Sequence, residues 1–84
     1  MNDAVDQAAI NICGVLVHAA RDRLAEVQTR LGSFAGLEIH EVTAEGRMII
    51  TLDLPDRMQM ADTINDLNKI EGVLSAAMVY QHSE

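Results

Sequence analysis

Apolar residues fill both alternating sets of positions in the last part of the chain. Glu71-Gly72 is a turn signal, and residues 73–82 follow it as a strand signal. Successive side chains of a strand lie on opposite faces of its sheet. The two predicted faces are Val73, Ser75, Ala77 and Val79 on one side, and Leu74, Ala76, Met78, Tyr80 and His82 on the other. Neither face is polar, although a chain of 84 residues is short for covering both sides of a sheet.

Three earlier segments are also predicted to be strands. Residues 10–18 form a continuous apolar run rich in β-branched residues, which favours a central strand with apolar contacts on both faces. Residues 37–43 mix apolar and charged positions, as edge strands do. A glycine-containing loop at 44–46 then leads to a strand at 47–53.

A first helix is predicted over residues 21–31. Leu24, Val27 and Leu31 recur there at helical spacing, and polar residues lie between them. Gly32 follows the last apolar position, where a left-handed C-terminal cap favours glycine.

A second helix is predicted over residues 57–70. Asp56 precedes it, and Gln59 three residues later has the spacing of a capping box. The predicted buried stripe consists of Met60, Ala61, Ile64, Leu67 and Ile70.

The order of elements is strand, helix, strand, strand, helix, strand. Each strand–helix–strand unit takes a right-handed crossover. Two such units give an α+β ferredoxin-like βαββαβ sandwich, with two helices on one face of a four-stranded antiparallel sheet. We expect a single domain over residues 10–82, preceded by a flexible tail at residues 1–9. The other sheet face has no segment left to cover it.

Strict alternation assigns apolar residues to both faces of this sheet. The helix side is expected to carry Met48, Ile50, Leu52, Val73, Ala77 and Val79. The uncovered side is expected to carry Ile49, Thr51, Leu74, Ala76, Met78 and Tyr80. For the first strand, the outward set is either Ile12, Gly14, Leu16 and His18 or Cys13, Val15 and Val17. An exposed apolar face of this kind is typical of a binding surface.

Net charge narrows the class of partner. The chain has 13 acidic and six basic residues, a formal net charge of −7. This charge repels nucleic acid and anionic membrane surfaces, and it attracts a cationic peptide or serves solubility alone. The acids near predicted strand ends and turns form either a solvated rim or one that attracts arginine or lysine: Glu38, Glu41, Glu45, Asp53 and Glu71.

Location and chemistry are constrained mainly by missing signals. No secretory signal is visible, and no apolar run approaches the roughly 20 residues of a membrane helix, so we expect a cytoplasmic protein without direct membrane insertion.

Cys13 is the single cysteine and lies in an apolar strand, where a thiol is expected to be inert. His18, His40 and His82 border different strands without zinc-ligand spacing. The glycines of a phosphate-binding loop are also missing, so we predict a non-enzymatic protein without a cofactor. The aromatic residues on which an RNA-binding sheet stacks bases are missing as well.

Five segments together resemble the NapD family: residues 13–19, 34–39, 46–50, 70–76 and 79–82. This family consists of small assembly chaperones of periplasmic nitrate reductase. The resemblance implies a cytoplasmic chaperone that binds the twin-arginine signal peptide of the catalytic subunit and delays export until the molybdenum cofactor is in place. It also implies that the peptide docks as a helix along the sheet.

The resemblance and the apolar sheet face together give a hypothesis for the peptide site. Its predicted members are Ile49, Thr51, Leu74, Ala76, Met78 and Tyr80 on the apolar surface, with Glu38, Glu41 or Glu71 near the arginines. Two alternatives stay open. One is a small-molecule-binding regulatory domain of the amino-acid-sensing type, and the other is a homo-oligomer whose open faces cover one another. Weak self-association is compatible with the chaperone hypothesis as well.

Overall fold

The structure, a computed structural model, describes residues 11–83 of the chain. Its elements are β1 (Asn11–Ala19), a 3₁₀ turn (Arg21–Arg23) leading into α1 (Leu24–Leu31), β2 (Leu37–Val42), β3 (Arg47–Asp53), α2 (Arg57–Leu67) and β4 (Val73–Ser83). This order confirms the predicted βαββαβ arrangement. The tail predicted at residues 1–9 lies outside the described residues, as does the predicted first strand residue Ile10.

The four strands form one sheet in the order β2-β3-β1-β4, and all neighbouring pairs are antiparallel. On one face the central strands β1 and β3 contribute six residues without exposed surface: Cys13, Val15, Val17, Met48, Ile50 and Leu52. These residues form a single core cluster with Val27 and Leu31 of α1 and Leu67 of α2. Both helices therefore pack on the same face of the sheet, as the sequence predicts.

β4 departs from regular alternation at two bulges. Leu74 and Val79 have no partner of their own in the ladder between β1 and β4. An extra residue in one strand moves the side chains that follow it to the other face. Residues 75–78, which lie between the two bulges, therefore have the opposite phase from the one that strict alternation predicts.

This change of phase corrects the sides that were predicted for Ala76, Met78 and Ala77. Ala76 pairs with the fully buried Val17 and is itself only 8% exposed, so its assignment to the uncovered side is wrong. Met78 also lies on the helix side, because it pairs with a buried residue of β1. Ala77 pairs with Leu16 and lies on the uncovered side, contrary to the prediction.

Asn68, directly after α2, links this helix to β4. Its side-chain amide donates a hydrogen bond to the carbonyl of Ala76 (3.1 Å) and accepts one from the N–H of the same residue (3.0 Å). It also donates to the carbonyl of Ile64 at 3.0 Å. β4 is an edge strand, and the N–H and C=O of Ala76, which point away from the sheet edge, are thus both hydrogen-bonded. The helix ends at Leu67, before the predicted end at Ile70.

The helix ends agree with the predictions in part. At the start of α2, Asp56 Oδ1 accepts the backbone N–H of Gln59 at 2.8 Å, which confirms the predicted cap. The left-handed cap predicted for Gly32 is wrong, because its φ is −64°. Gly36, which lies four residues further along the chain, has a positive φ of 75°, and a side chain there would overlap the neighbouring backbone. Ala61, which was assigned to the buried stripe, is exposed.

Candidate functional site: the open face of the sheet

The face of the sheet opposite the helices, called the open face here, consists of four rows of paired residues. Directly paired residues on neighbouring strands lie on the same face, so the register assigns each member. The rows are Asp53–Ile12–His82, Glu38–Thr51–Gly14–Tyr80, Glu41–Ile49–Leu16–Ala77 and Arg47–His18–Ser75. The outward set of β1, which the sequence left undecided, is therefore Ile12, Gly14, Leu16 and His18.

Tyr80 extends over β1 at Gly14. A Cβ added to Gly14 would overlap the Cδ1, Cε1 and Cζ atoms of Tyr80, so the ring packs directly against the glycine backbone. Glycine inside a strand often marks such a close approach. Tyr80 is nevertheless 51% exposed, so its ring is also accessible to a ligand.

The β2 edge of the open face is acidic. Glu38 and Glu41 are exposed, and they pair with Thr51 and Ile49 of β3. His40 is the extra residue of a bulge in β2, and its Nε2 atom lies 2.8 Å from Thr51 Oγ1 and 3.8 Å from Glu38 Oε1. These contacts place the imidazole on the same face as the two carboxylates. Both carboxylates would attract a cationic group that approaches this edge.

The centre of the open face is apolar. Ile49 is 38% exposed, Leu16 is half-buried and Ala77 is exposed. The surface therefore changes from carboxylates on β2, through aliphatic groups on β3 and β1, to an aromatic ring on β4. This arrangement suits a ligand that combines positive charge with an adjoining apolar surface.

Comparison with known proteins places this fold in a family. The NapD family model, described as "NapD protein", matches residues 10–84. The chain belongs to the NapD family. Its relatives include the proteins named Chaperone NapD from Escherichia coli strain K12, E. coli O157:H7 and Shigella flexneri. Each is 30% identical over 74 residues, which make up 87% of this chain and 85% of the relative.

A solved NapD structure has the same architecture. It is the solution structure of the E. coli Tat proofreading chaperone protein NapD, with a TM-score of 0.79 and 29% sequence identity. The match covers 89% of this chain and 80% of the other. It confirms both the predicted ferredoxin-like sandwich and the family resemblance found in the sequence.

In this NapD-family chain, five of the nine residues predicted for the peptide site share the open face. They are Glu38, Glu41, Ile49, Thr51 and Tyr80. The two rows that hold these five contain three further residues that were not predicted for the site: Gly14, Leu16 and Ala77. A glycine within a continuous apolar strand was the available signal for the first of these. The sequence carried no signal for Ala77, because its position depends on the bulges in β4.

The other four predicted residues lie elsewhere. Ala76 belongs to the core, and Met78 lies on the helix side of β4. Leu74 is exposed but occupies a bulge at the start of that strand. Glu71 forms an ion pair with Arg23 of the turn before α1, at 3.3 Å, and its carboxylate raises the pKa of that arginine. Glu71 is thus engaged on the helix side rather than on the open face.

The described residues contain little that suggests reaction chemistry. Cys13 has no exposed surface, and burial raises the pKa of its thiol, which lowers the fraction of reactive thiolate. Between residues 11 and 83, no three His, Cys, Asp or Glu side chains form a group that could hold a metal ion. In the same part of the chain, no helix combines the length and apolar character needed to cross a membrane.

Proposed function

We propose that this protein is a cytoplasmic chaperone that binds the twin-arginine signal peptide of the catalytic subunit of periplasmic nitrate reductase. Binding restrains export of the precursor until the molybdenum cofactor has been inserted. The observation that carries the proposal is the open face, where Glu38 and Glu41 border an apolar centre. The relatives' names, Chaperone NapD and Tat proofreading chaperone, support the same class of function.

The chemistry of the open face complements such a peptide. A twin-arginine signal peptide carries two guanidinium groups beside an apolar segment, and guanidinium groups pair well with carboxylates. Four strands about 4.8 Å apart make a surface roughly 14 Å wide. A helix with its side chains is about 10–12 Å in diameter, so one helical peptide covers this width. The peptide then places its apolar side on Ile49, Leu16 and Ala77, with Thr51 and Tyr80 beside them.

The role we propose is binding rather than catalysis. The relatives are named as chaperones, and the buried Cys13 is a poor nucleophile. The apolar side chains of the open face provide contact area, whereas the exposed carboxylates provide orientation and attraction. No step of this function requires a bond to be made or broken by the protein.

Calorimetric titration with a synthetic signal peptide of the catalytic subunit tests the proposal. We expect the unaltered protein to bind, and we expect the double variant Glu38→Gln/Glu41→Gln to bind about three- to thirtyfold more weakly, as the loss of two surface charge contacts predicts. The weakening should shrink as salt is added, because exposed charges are screened. Replacing both peptide arginines by glutamine should abolish most of the difference between the two proteins.

A second double variant, Glu26→Gln/Glu71→Gln, is the matched control. It removes the same amount of charge, but from the two partners of Arg23 on the helix side. We expect its peptide affinity to equal that of the unaltered protein. Equal weakening by both double variants would show that only net charge matters, and it would contradict the assignment of the open face.

A homo-oligomer whose open faces cover one another is the competing function that the exposed apolar centre also favours. Sedimentation velocity at the concentrations of the titration separates the two. A monomer, or a weak dimer that the peptide dissociates, supports the chaperone function. A tight dimer without peptide affinity would contradict it.

A further inference from the structure

We propose that the row Glu38–Thr51–Gly14–Tyr80 is the subsite for one arginine of the signal peptide, with the guanidinium held between the Tyr80 ring and the Glu38 carboxylate. The inference rests on the proposed function and makes it more specific, because it assigns an arginine-selective contact to a single row of the open face.

The four residues lie in one line across all four strands. Glu38 pairs with Thr51, Thr51 pairs with Gly14, and Gly14 pairs with Tyr80. The two inner members are small, and larger groups lie next to both: the Tyr80 ring packs over Gly14, and the imidazole of His40 contacts Thr51. The ring of Tyr80 lies over the β1 position, two strands away from Glu38. This separation is roughly 10 Å, enough for a planar guanidinium in contact with a group on each side.

Gly14 is what permits this geometry. Any side chain at that position would occupy the space that the Tyr80 ring fills, since even a Cβ would overlap three ring atoms. The glycine therefore lets the ring reach from the edge strand to the middle of the sheet. Tyr80 remains half exposed in this position, so the ring can contact the glycine backbone and a ligand together.

The chemical groups of the row favour arginine over lysine. A guanidinium is planar and weakly hydrated, stacks on aromatic rings and pairs with a carboxylate through two parallel hydrogen bonds. An ammonium group also attracts the face of an aromatic ring, but it is more strongly hydrated and has no plane to stack, so its contact is weaker. His40 Nε2 lies 2.8 Å from Thr51 Oγ1 and 3.8 Å from Glu38 Oε1, so a guanidinium bound here contacts or displaces this imidazole.

The neighbouring row lacks these features. Glu41, Ile49, Leu16 and Ala77 provide a carboxylate and aliphatic groups but no aromatic ring. A cation near Glu41 therefore gains charge attraction without stacking, and lysine serves there nearly as well as arginine. The two arginines of the peptide are consequently not equivalent.

The test is a set of calorimetric titrations of the Tyr80→Leu variant with three peptides: the unaltered signal peptide and two peptides in which one or the other arginine is replaced by lysine. With the unaltered peptide, we expect Tyr80→Leu to weaken binding about three- to thirtyfold, the range of a cation–π contact. With one of the lysine peptides this loss should shrink to about two- to fivefold or less, well below the loss for the unaltered peptide, whereas with the other it should persist unchanged. Tyr80→Phe keeps the ring and should stay within about twofold of the unaltered protein.

Gly14→Ala is an independent variant that displaces the ring without removing it. We expect it to weaken binding of the unaltered peptide to about the same extent as Tyr80→Leu, and to add nothing in the Tyr80→Leu background. Unchanged thermal unfolding would show that both variants keep the fold.

Two results would overturn the subsite. If Tyr80→Leu weakens binding of all three peptides equally, the ring provides apolar area only, and the proposed function stands without the arginine subsite. If the unaltered protein binds none of the peptides, the proposed function fails and the subsite fails with it.

Discussion

β1 is apolar on both sides, but its two sides have different environments. Toward the helices, Cys13, Val15 and Val17 have no exposed surface. Toward the open face, Leu16 and His18 keep part of their surface exposed, although the sequence pattern does not separate the two sets. The difference arises because two helices in a βαββαβ chain pack on the same side of the sheet. Apolar character on the open face is therefore not explained by core packing, and the proposed peptide contact provides an explanation.

The largest expected effect separates the two faces within β3. Leu52 has no exposed surface, so Leu52→Ala should leave a cavity and lower the free energy of unfolding by about 2–5 kcal/mol. Ile49→Ala, on the open face of the same strand, should lower it by less than half as much while weakening peptide binding. Urea unfolding and peptide titration measure the two quantities. A loss of stability as large for Ile49→Ala as for Leu52→Ala would contradict the difference between the faces.

A smaller effect is expected for the link between α2 and β4. Asn68→Ala removes the three hydrogen bonds to Ala76 and Ile64, and it should lower the free energy of unfolding by about 1–3 kcal/mol. Hydrogen exchange at the Ala76 amide should become faster. Peptide affinity should not change, because this residue lies on the helix side. A marked loss of affinity in the folded variant would show that the two faces are coupled.

The N-terminal cap of α2 should have a still smaller effect. Asp56→Ala removes the acceptor for the Gln59 amide and should lower the free energy of unfolding by about 1 kcal/mol. Asp56→Asn keeps an acceptor at the same position and is the matched control. We expect thermal unfolding to shift for the first variant and peptide affinity to stay constant for both. A cap variant with unchanged stability would contradict the role of this hydrogen bond.

The last contrast between the two faces concerns the reactivity of a thiol and not the free energy of unfolding. Native Cys13 is buried and its thiol pKa is raised, so alkylation by iodoacetamide near neutral pH should be very slow until the protein unfolds. In a Cys13→Ala background, which adds no polar group to the core, Leu16→Cys places a thiol on the open face three residues away. That thiol should react readily, and bound peptide should protect it. Rapid alkylation of Cys13 in the folded protein would contradict the covered side of β1.

Strict alternation was sufficient for β3 and insufficient for β4. Residues Arg47–Asp53 have the predicted bounds, and their two faces are as predicted, because Met48, Ile50 and Leu52 recur at every second position and the pairing with β1 has no bulge. In β4, the bulges at Leu74 and Val79 exchange the faces of Ala76 and Ala77. Two neighbouring alanines carry no information about which one is buried, so this part of the site could not be predicted.

Acidic residues show the same limit of sequence information. Glu38 and Glu41 were predicted to border the open face, and the register places them there. Glu71 was grouped with them because it precedes β4, but it pairs with Arg23 beside α1. Its direction depends on Gly72, whose φ of 99° turns the chain next to that arginine. Charge and proximity to a strand end did not distinguish a carboxylate on the open face from one that forms an ion pair on the helix side.

Methyl-resolved NMR during a signal-peptide titration can locate the bound peptide on one face of the sheet, because β1, β3 and β4 offer neighbouring methyl groups on opposite faces. We expect the largest shift changes at Leu16, Ile49 and Ala77, with much smaller ones at Val15, Ile50 and Ala76. Largest changes at the second set, or along α1 and α2, would contradict a binding site on the open face.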